Sequence, residues 1–320
     1  MPRCRRCGEP RVEVKLDYAR ARLCSRCFTD YFVERVRRTV QEYRMFGERA
    51  RVGVALSGGK DSGALLHSLR QAFPHLDLVA LHVDLGIQGY SDHCRGVAEQ
   101  VARMAGAEFR VLTLRDKYGF TIDDYKKTLY RRKMCAVCGV VKRYLFDRMA
   151  EEADIDVLAT GHNLDDMVGT MLTTFFAGDF TQLIKLKPVL PPLTPRQRPK
   201  VKPLIKSPEF EDLLYCLHQE IPFRRVSCPH ARGTHSQESK RLIEALAQGN
   251  PGFRYQALSL FLKKLIPLLE PQVTKPPLTT CQRCGAPSST PICSFCRRVA
   301  LVHSTQLREE AANPSPKRGP

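Results

Sequence analysis

Ser57-Gly58-Gly59-Lys60-Asp61-Ser62 stands directly after the apolar run Val52-Gly53-Val54-Ala55-Leu56 and directly before the helical pattern Ala64-Leu65-Leu66. A strand, a glycine loop and a helix in that order form a pocket for the phosphates of a nucleotide. Glycines let the backbone approach oxygen closely, and the free amides and positive dipole end of the helix face the anion. Lys60 adds a point charge, and Ser57 and Ser62 add hydroxyls. The spacing is not Gly-x-x-x-x-Gly-Lys-Ser/Thr, so the Walker loop is excluded. A bland surface turn is the competing reading, and the buried-type strand ahead of the loop argues against it.

Around the loop, strands and helices alternate. A helical stretch, Asp30–Phe46, precedes the strand at 52–56, and a helix at 63–72 follows the loop. Leu78–Asp84 reads as a second strand, with a loop through Gly86 and Gly89 and then a helix over 92–105 that Ser91 would cap. Phe109–Leu114 is a third strand, and a helix over 139–153 leads to a fourth at Asp156–Thr160. This rhythm predicts an α/β fold with a parallel sheet covered by helices on both faces. Ligands of such sheets sit beyond the carboxyl ends of the strands, where Asp84, Gly161, Asn163 and the 57–62 loop converge. The stretch Gly161-His162-Asn163-Leu164-Asp165-Asp166 has two readings. One is a metal-assisted site, with magnesium held by carboxylate and phosphates. The other is helix capping by Asn163, with the acids favouring the dipole. Taken alone, the stretch favours capping; beside a phosphate loop, the balance turns to the metal.

Composition sets outer limits. A chain of 320 residues suggests about two domains, and 43% apolar residues are ample for a core. A net charge of +18 exceeds what solubility requires and points to a polyanionic partner, against the alternative of a merely solvated basic surface. No run of about 18 apolar residues exists and Met1-Pro2-Arg3-Cys4 lacks a signal-peptide stretch, so no membrane association and a cytoplasmic location are expected. Thirteen cysteines in such a chain indicate metal rather than disulfides. Cys4-x-x-Cys7 with Cys24-x-x-Cys27, and Cys281-x-x-Cys284 with Cys293-x-x-Cys296, each give four thiolates, the tetrahedral set of a closed structural zinc site. Four protein sulfurs leave no open position, so neither module is expected to be catalytic. Cys94 and Cys216 sit on helical patterns without partners and are read as packing residues.

The 57–62 loop, the His82-Val83-Asp84 strand end and Gly161–Asp166 resemble the PP-loop ATP pyrophosphatases, which cleave ATP between the α and β phosphates and adenylate a substrate oxygen. The terminal cysteine pairs and the central cysteines narrow the resemblance to the two-zinc-finger tRNA 2-thiouridine synthetases, most similar to the TtuA type, from Cys4 to Arg297. The resemblance implies an ATP site of Ala55, Ser57, Gly58, Gly59, Lys60, Asp61, Ser62, His82, Val83, Asp84, Gly161 and Asn163. It implies Mg2+ and a [4Fe-4S] cluster on Cys135, Cys138 and Cys228, which leaves one iron open, and activity that needs Lys142 and Asp166. Lys142 falls one helical turn after Cys138 and is expected to neutralise developing charge on phosphate. Other readings remain open: a zinc-bound Cys135–Cys138 pair with Cys228 as a small hydrophobe, or a persulfide on Cys138 with Cys228 resolving a disulfide.

The implied reaction follows from the uracil carbonyl, whose C2 oxygen is a poor leaving group. Attack by that oxygen on the α-phosphorus releases pyrophosphate, and AMP then leaves when sulfur adds at C2. The resemblance places the target at the T-loop uridine, with the wobble uridine as the alternative within the same architecture. It also implies tRNA and a ubiquitin-like carrier ending in a thiocarboxylate as partners, and allows a homodimer. Another adenylating ligase would not need the three central cysteines, and a non-enzymatic zinc-ribbon RNA binder would not need the loop. Expected units are a zinc module at 1–29, a catalytic domain with a helical part at 30–270, a second zinc module at 271–303 and a disordered tail at 304–320. Proline-rich Lys185–Lys206 is read either as a strap beside tRNA phosphates or as a connector. Arg283, Arg297 and Arg298 are candidate tRNA contacts, and Phe253, Tyr255, Leu258, Phe261 and Leu265 are core candidates.

Overall fold

The structure, a computed structural model, describes residues 3–231, 235–274 and 277–312. In chain order its elements are β1 (Val14–Leu16), β2 (Ala21–Leu23), α1 (Ser25–Glu42), β3 (Arg51–Ala55), α2 (Lys60–Ala72), β4 (Asp77–Asp84), α3 (Ser91–Met104), β5 (Glu108–Thr113), α4 (Leu114–Tyr118), α5 (Met134–Glu152), β6 (Val157–Ala159) and α6 (Leu164–Phe176). They continue with α7 (Phe180–Leu183), β7 (Val189–Leu190), β8 (Lys200–Val201), α8 (Glu209–His218), α9 (His235–Gly249), α10 (Phe253–Leu260), α11 (Ile266–Leu269), β9 (Thr279–Thr280), β10 (Pro287–Ser288) and α12 (Ser294–Ala312).

One sheet of order β5-β4-β3-β6-β8-β7 organises the molecule, parallel throughout except for β7, which returns antiparallel to β8. Successive side chains of a strand face opposite sides, and the apolar run of β4 uses both. Leu78 and Ala80 enter a core with α1, α2 and α3, whereas Val79, Leu81 and Val83 enter a second core with α5. Leu16, Leu23 and Phe28 from the N-terminal module join the first core; Phe295, Cys296 and Val302 from the C-terminal module join the second. The two cysteine modules therefore pack on opposite faces of one sheet. A third core holds α6 against Ile243, Leu258 and Phe261, with Phe253, Tyr255 and Leu265 packed around it.

β3 lies at the switch point: its first crossover goes to β4 on one side, and β6 returns on the other. The crevice above such a point is where open parallel sheets take ligands. Three expectations need correction. The third helix begins at Ser91 with Tyr90 in the cap position, and the Ser91 hydroxyl instead accepts the Ile87 N–H at 3.0 Å. α12 runs unbroken to Ala312, so 304–312 is helical rather than disordered, and 313–320 lie outside the described residues. The proline-rich stretch is a docked edge hairpin, because its cations meet acids at the end of α5: Arg196 with Glu151 at 2.7 Å, Arg198 with Asp154 at 3.0 Å and Lys200 with Asp147 at 2.7 Å. Among the described residues no helix is long and apolar enough to cross a membrane.

Candidate active site at the head of the sheet

The chain leaves β3, turns through Ser57–Gly59 and enters α2 at Lys60. Gly58 holds φ +73°, and a Cβ there would lie 2.6 Å from the Cys94 carbonyl oxygen, so the loop admits only glycine at this point. The Ser57 amide donates to Ser62 Oγ at 3.2 Å, and that hydroxyl donates to the Gly59 carbonyl at 3.0 Å. From the other side of the switch point, Gly161 presses against the loop; a Cβ on it would stand 3.0 Å from the Ser62 nitrogen. The heads of α2 and α6 thus meet in one crevice, as the sequence predicts.

Charged side chains close a ring at this junction. Lys60 Nζ reaches Asp61 Oδ1 at 2.9 Å and Glu209 Oε1 at 2.7 Å. Glu209 Oε2 meets Lys240 at 2.9 Å, and Lys240 meets Asp166 at 2.8 Å. Asp166 and Asn163 form a reciprocal capping box, and Asn163 Nδ2 donates back to Asp61 Oδ1 at 3.2 Å. Asn163 and Asp166 therefore cap α6, as the capping reading expects, and Asn163 also touches the phosphate loop through Asp61. Burial opposes the Lys60 charge, yet Asp61 and Glu209 more than offset it and raise its pKa. Beneath the ring, Asp212 is wholly buried with both oxygens lacking hydrogen-bond partners, and burial followed by the neighbouring Asp61 pushes its carboxyl far up.

Cys135 and Cys138 sit in the first turn of α5, and Cys228 approaches from the segment after α8. Cys135 Sγ donates to the His230 carbonyl at 3.2 Å, while the His230 ring is fixed by Asp123 at 2.7 Å. Burial pushes the Cys135 and Cys138 thiols up, Cys228 adds to this at both and Cys135 at Cys138, and Lys142 works against it at both. Lys142 also acts on His162, whose pKa is lowered first by desolvation, with Asp166 opposing. Lys142 is thus within electrostatic reach of both the thiols and the α6 head. Cys135, Cys138 and Cys228 act on one another electrostatically, but their sulfurs are not drawn together within 4.8 Å as those of the two terminal sets are.

The other cysteines separate cleanly. Cys4, Cys7, Cys24 and Cys27, and likewise Cys281, Cys284, Cys293 and Cys296, bring their sulfurs within 4.8 Å of one another. In each set one thiol is held down to about 6. Burial works against the Cys4 and Cys281 thiolates, but backbone N–H groups, led by those of Cys24 and Cys293, prevail. Both sets fit tetrahedral zinc. Cys94 and Cys216 are buried, as expected of packing residues. At the second strand end, His82 Nδ1 pairs with the Leu56 carbonyl at 2.8 Å and Asp84 accepts the Gly86 amide at 2.9 Å, so both brace the crevice wall; Val83 is buried and Ala55 half-buried beside them. Of the arginines read as tRNA contacts, Arg283 and Arg297 are exposed, whereas Arg298 stacks on Tyr130, 5.0 Å from its centroid. Sequence reasoning missed Glu209, Asp212 and Lys240. Their spacing carries no motif, and only the fold brings α8 and α9 to the loop.

A glycine phosphate loop at the switch point of a parallel sheet, flanked by two four-cysteine modules, defines a nucleotide-binding protein of the α/β class. The chain matches the PP-loop domain over residues 31–225 and belongs to that family, within its tRNA 2-sulfurtransferase branch. It is 31% identical to a tRNA-5-methyluridine(54) 2-sulfurtransferase of Pyrococcus horikoshii, over 98% of this chain and 99% of that one. The homologue of the same name from Thermus thermophilus is 34% identical over 94% and 92% of the two chains. Among solved structures, the U34-tRNA thiolase NcsA from Methanococcus maripaludis with its [4Fe-4S] cluster superposes with a TM-score of 0.78 at 27% identity, covering 93% of this chain and 95% of that one.

Proposed function

We propose that the chain is an ATP-dependent tRNA 2-sulfurtransferase that adenylates the C2 oxygen of uridine 54 and replaces it with sulfur. The observation that carries this reading is the meeting of the phosphate loop with the α6 head, where Asn163 Nδ2 donates to Asp61 Oδ1 at 3.2 Å, with Lys142 in electrostatic reach of Cys135, Cys138 and His162. On this reading one substrate base would meet ATP and sulfur without leaving the crevice. The loop amides and Lys60 would bind the triphosphate, and Lys142 would offset charge as pyrophosphate departs. Asp61 and Asp166 would hold Mg2+, while Cys135, Cys138 and Cys228 would hold a [4Fe-4S] cluster. When bound, that cluster supplies an open iron position able to carry sulfur.

The two four-cysteine modules would each hold a structural zinc ion. The exposed Arg131, Arg132 and Lys133, just ahead of Cys135, would meet tRNA phosphates. A ubiquitin-like thiocarboxylate carrier as sulfur source, a homodimer and a cytoplasmic site of action complete the reading. The NcsA superposition favours U34 as the alternative target.

Anaerobic purification with metal analysis is expected to give about two zinc and four iron per chain, from the ligand counts. Mass spectrometry of tRNA nucleosides from a deletion strain is expected to show loss of the 2-thio group at position 54, restored by the wild-type chain and not by Cys135→Ser. Loss at position 34 instead would move the target. Activity that persists without iron would replace the cluster by the Cys138/Cys228 persulfide route.

A further inference from the structure

Arg224 stands over the phosphate loop, and among the described residues no acid neutralises it. Its backbone N–H donates to the Gly58 carbonyl at 2.9 Å, which pins the residue to the glycine turn itself. Its guanidinium then folds across the loop: Nη2 and Nε lie 3.5 and 3.6 Å from where a Gly59 Cβ would be. The plane stacks on Tyr90, with Cζ 5.2 Å from the ring centroid. Nε is buried and has no hydrogen-bond partner. Among the described residues, Arg224 makes no ion pair and no side-chain hydrogen bond. Lys60 differs, since Asp61 and Glu209 already hold it.

A half-buried guanidinium without an acceptor is costly unless an anion completes it. The aromatic face fixes its orientation and leaves its donor edge free, the arrangement in which arginine binds phosphate in a bidentate manner. The anion that this loop is built to accept is the phosphate chain of a nucleotide.

We infer that Arg224 is a phosphate-binding residue of the nucleotide site, donating its guanidinium edge to the triphosphate of ATP and to the pyrophosphate it releases. The inference rests on the ATP reading above. It also assigns a reason for the chain's path: Cys228 lies four residues beyond Arg224, so the segment that delivers the third thiol is anchored to the phosphate loop.

The test is calorimetric titration of the whole, zinc-loaded chain with ATP and, separately, with inorganic pyrophosphate, for wild type, Arg224→Gln, Arg224→Lys and the exposed neighbour variant Arg225→Gln. Loss of charge-assisted hydrogen bonds is expected to weaken both ligands about 10- to 100-fold in Arg224→Gln. Arg224→Lys is expected to recover only part of this, because a point charge lacks the planar fork, and Arg225→Gln is expected to match wild type. Wild-type affinity in Arg224→Gln overturns the inference. Should that variant lose zinc or fold poorly, wild-type pyrophosphate affinity in Arg224→Lys overturns it instead. A wild-type chain that binds neither ligand defeats the ATP reading itself, a result distinguishable from either.

Discussion

At the scale of single residues, the head of the sheet is set by what two positions exclude. Gly58 cannot carry a side chain, because its positive φ and the Cys94 carbonyl both forbid one. Gly58→Ala is expected to cost about 1–3 kcal/mol from backbone strain alone and to abolish ATP binding, as read by denaturant midpoint and calorimetry. Asp212 excludes charge. Its carboxyl is held neutral by burial first and by Asp61 second, so its folded pKa is raised. The folded state then keeps a proton that the unfolded chain releases above about pH 3.9. Stability from this group is present below that pH and falls as pH rises toward the folded value. Asp212→Asn removes the proton exchange without changing shape. It is expected to be more stable than wild type at pH 7, with the gap closing toward pH 4, in paired thermal melts across that range. A gap independent of pH would refute the assignment.

Among elements, the α6 head illustrates how a cap and a site share residues. Asn163 and Asp166 satisfy the first turn of the helix, and the same carboxylate grips Lys240 on α9. Lys240→Met strips a cation from both Asp166 and Glu209, and is expected to destabilise by roughly 1–3 kcal/mol as buried charge-assisted bonds are lost. Urea denaturation measures this. The variant is also expected to loosen α9 locally, visible as faster amide exchange in its first turns.

The sequence made this part of the molecule only half legible. Loop, strand ends and the capping motif could be read because each lies in one contiguous run with a local physical signature. Glu209, Lys240 and Arg224 could not, because their partners are far away in the chain: 149 residues separate Lys60 from Glu209. The proline-rich hairpin was ambiguous for a related reason. Cations on a loop look free until the acids of α5 are placed beside them.

For the whole molecule, net charge and metal content govern. Among the described residues, the exposed cluster Arg131–Lys133 pairs with no acid, in contrast to the docked hairpin, so charge reversal there should act on tRNA rather than on folding. Reversing all three is expected to lower the magnitude of the salt slope of tRNA binding by about 2–3, one unit for each phosphate no longer neutralised. Filter binding across ionic strength checks it, and an unchanged slope would place the tRNA elsewhere.

The cysteine modules bear on how the protein survives in a cell. Each lends apolar side chains to a different side of the sheet, so on the proposed zinc reading stripping either ion would lay bare one flank of the catalytic body. Zinc supply would then set how many molecules persist, and iron supply how many of those turn over. Two nutrients would throttle one modification by separable routes, abundance and turnover.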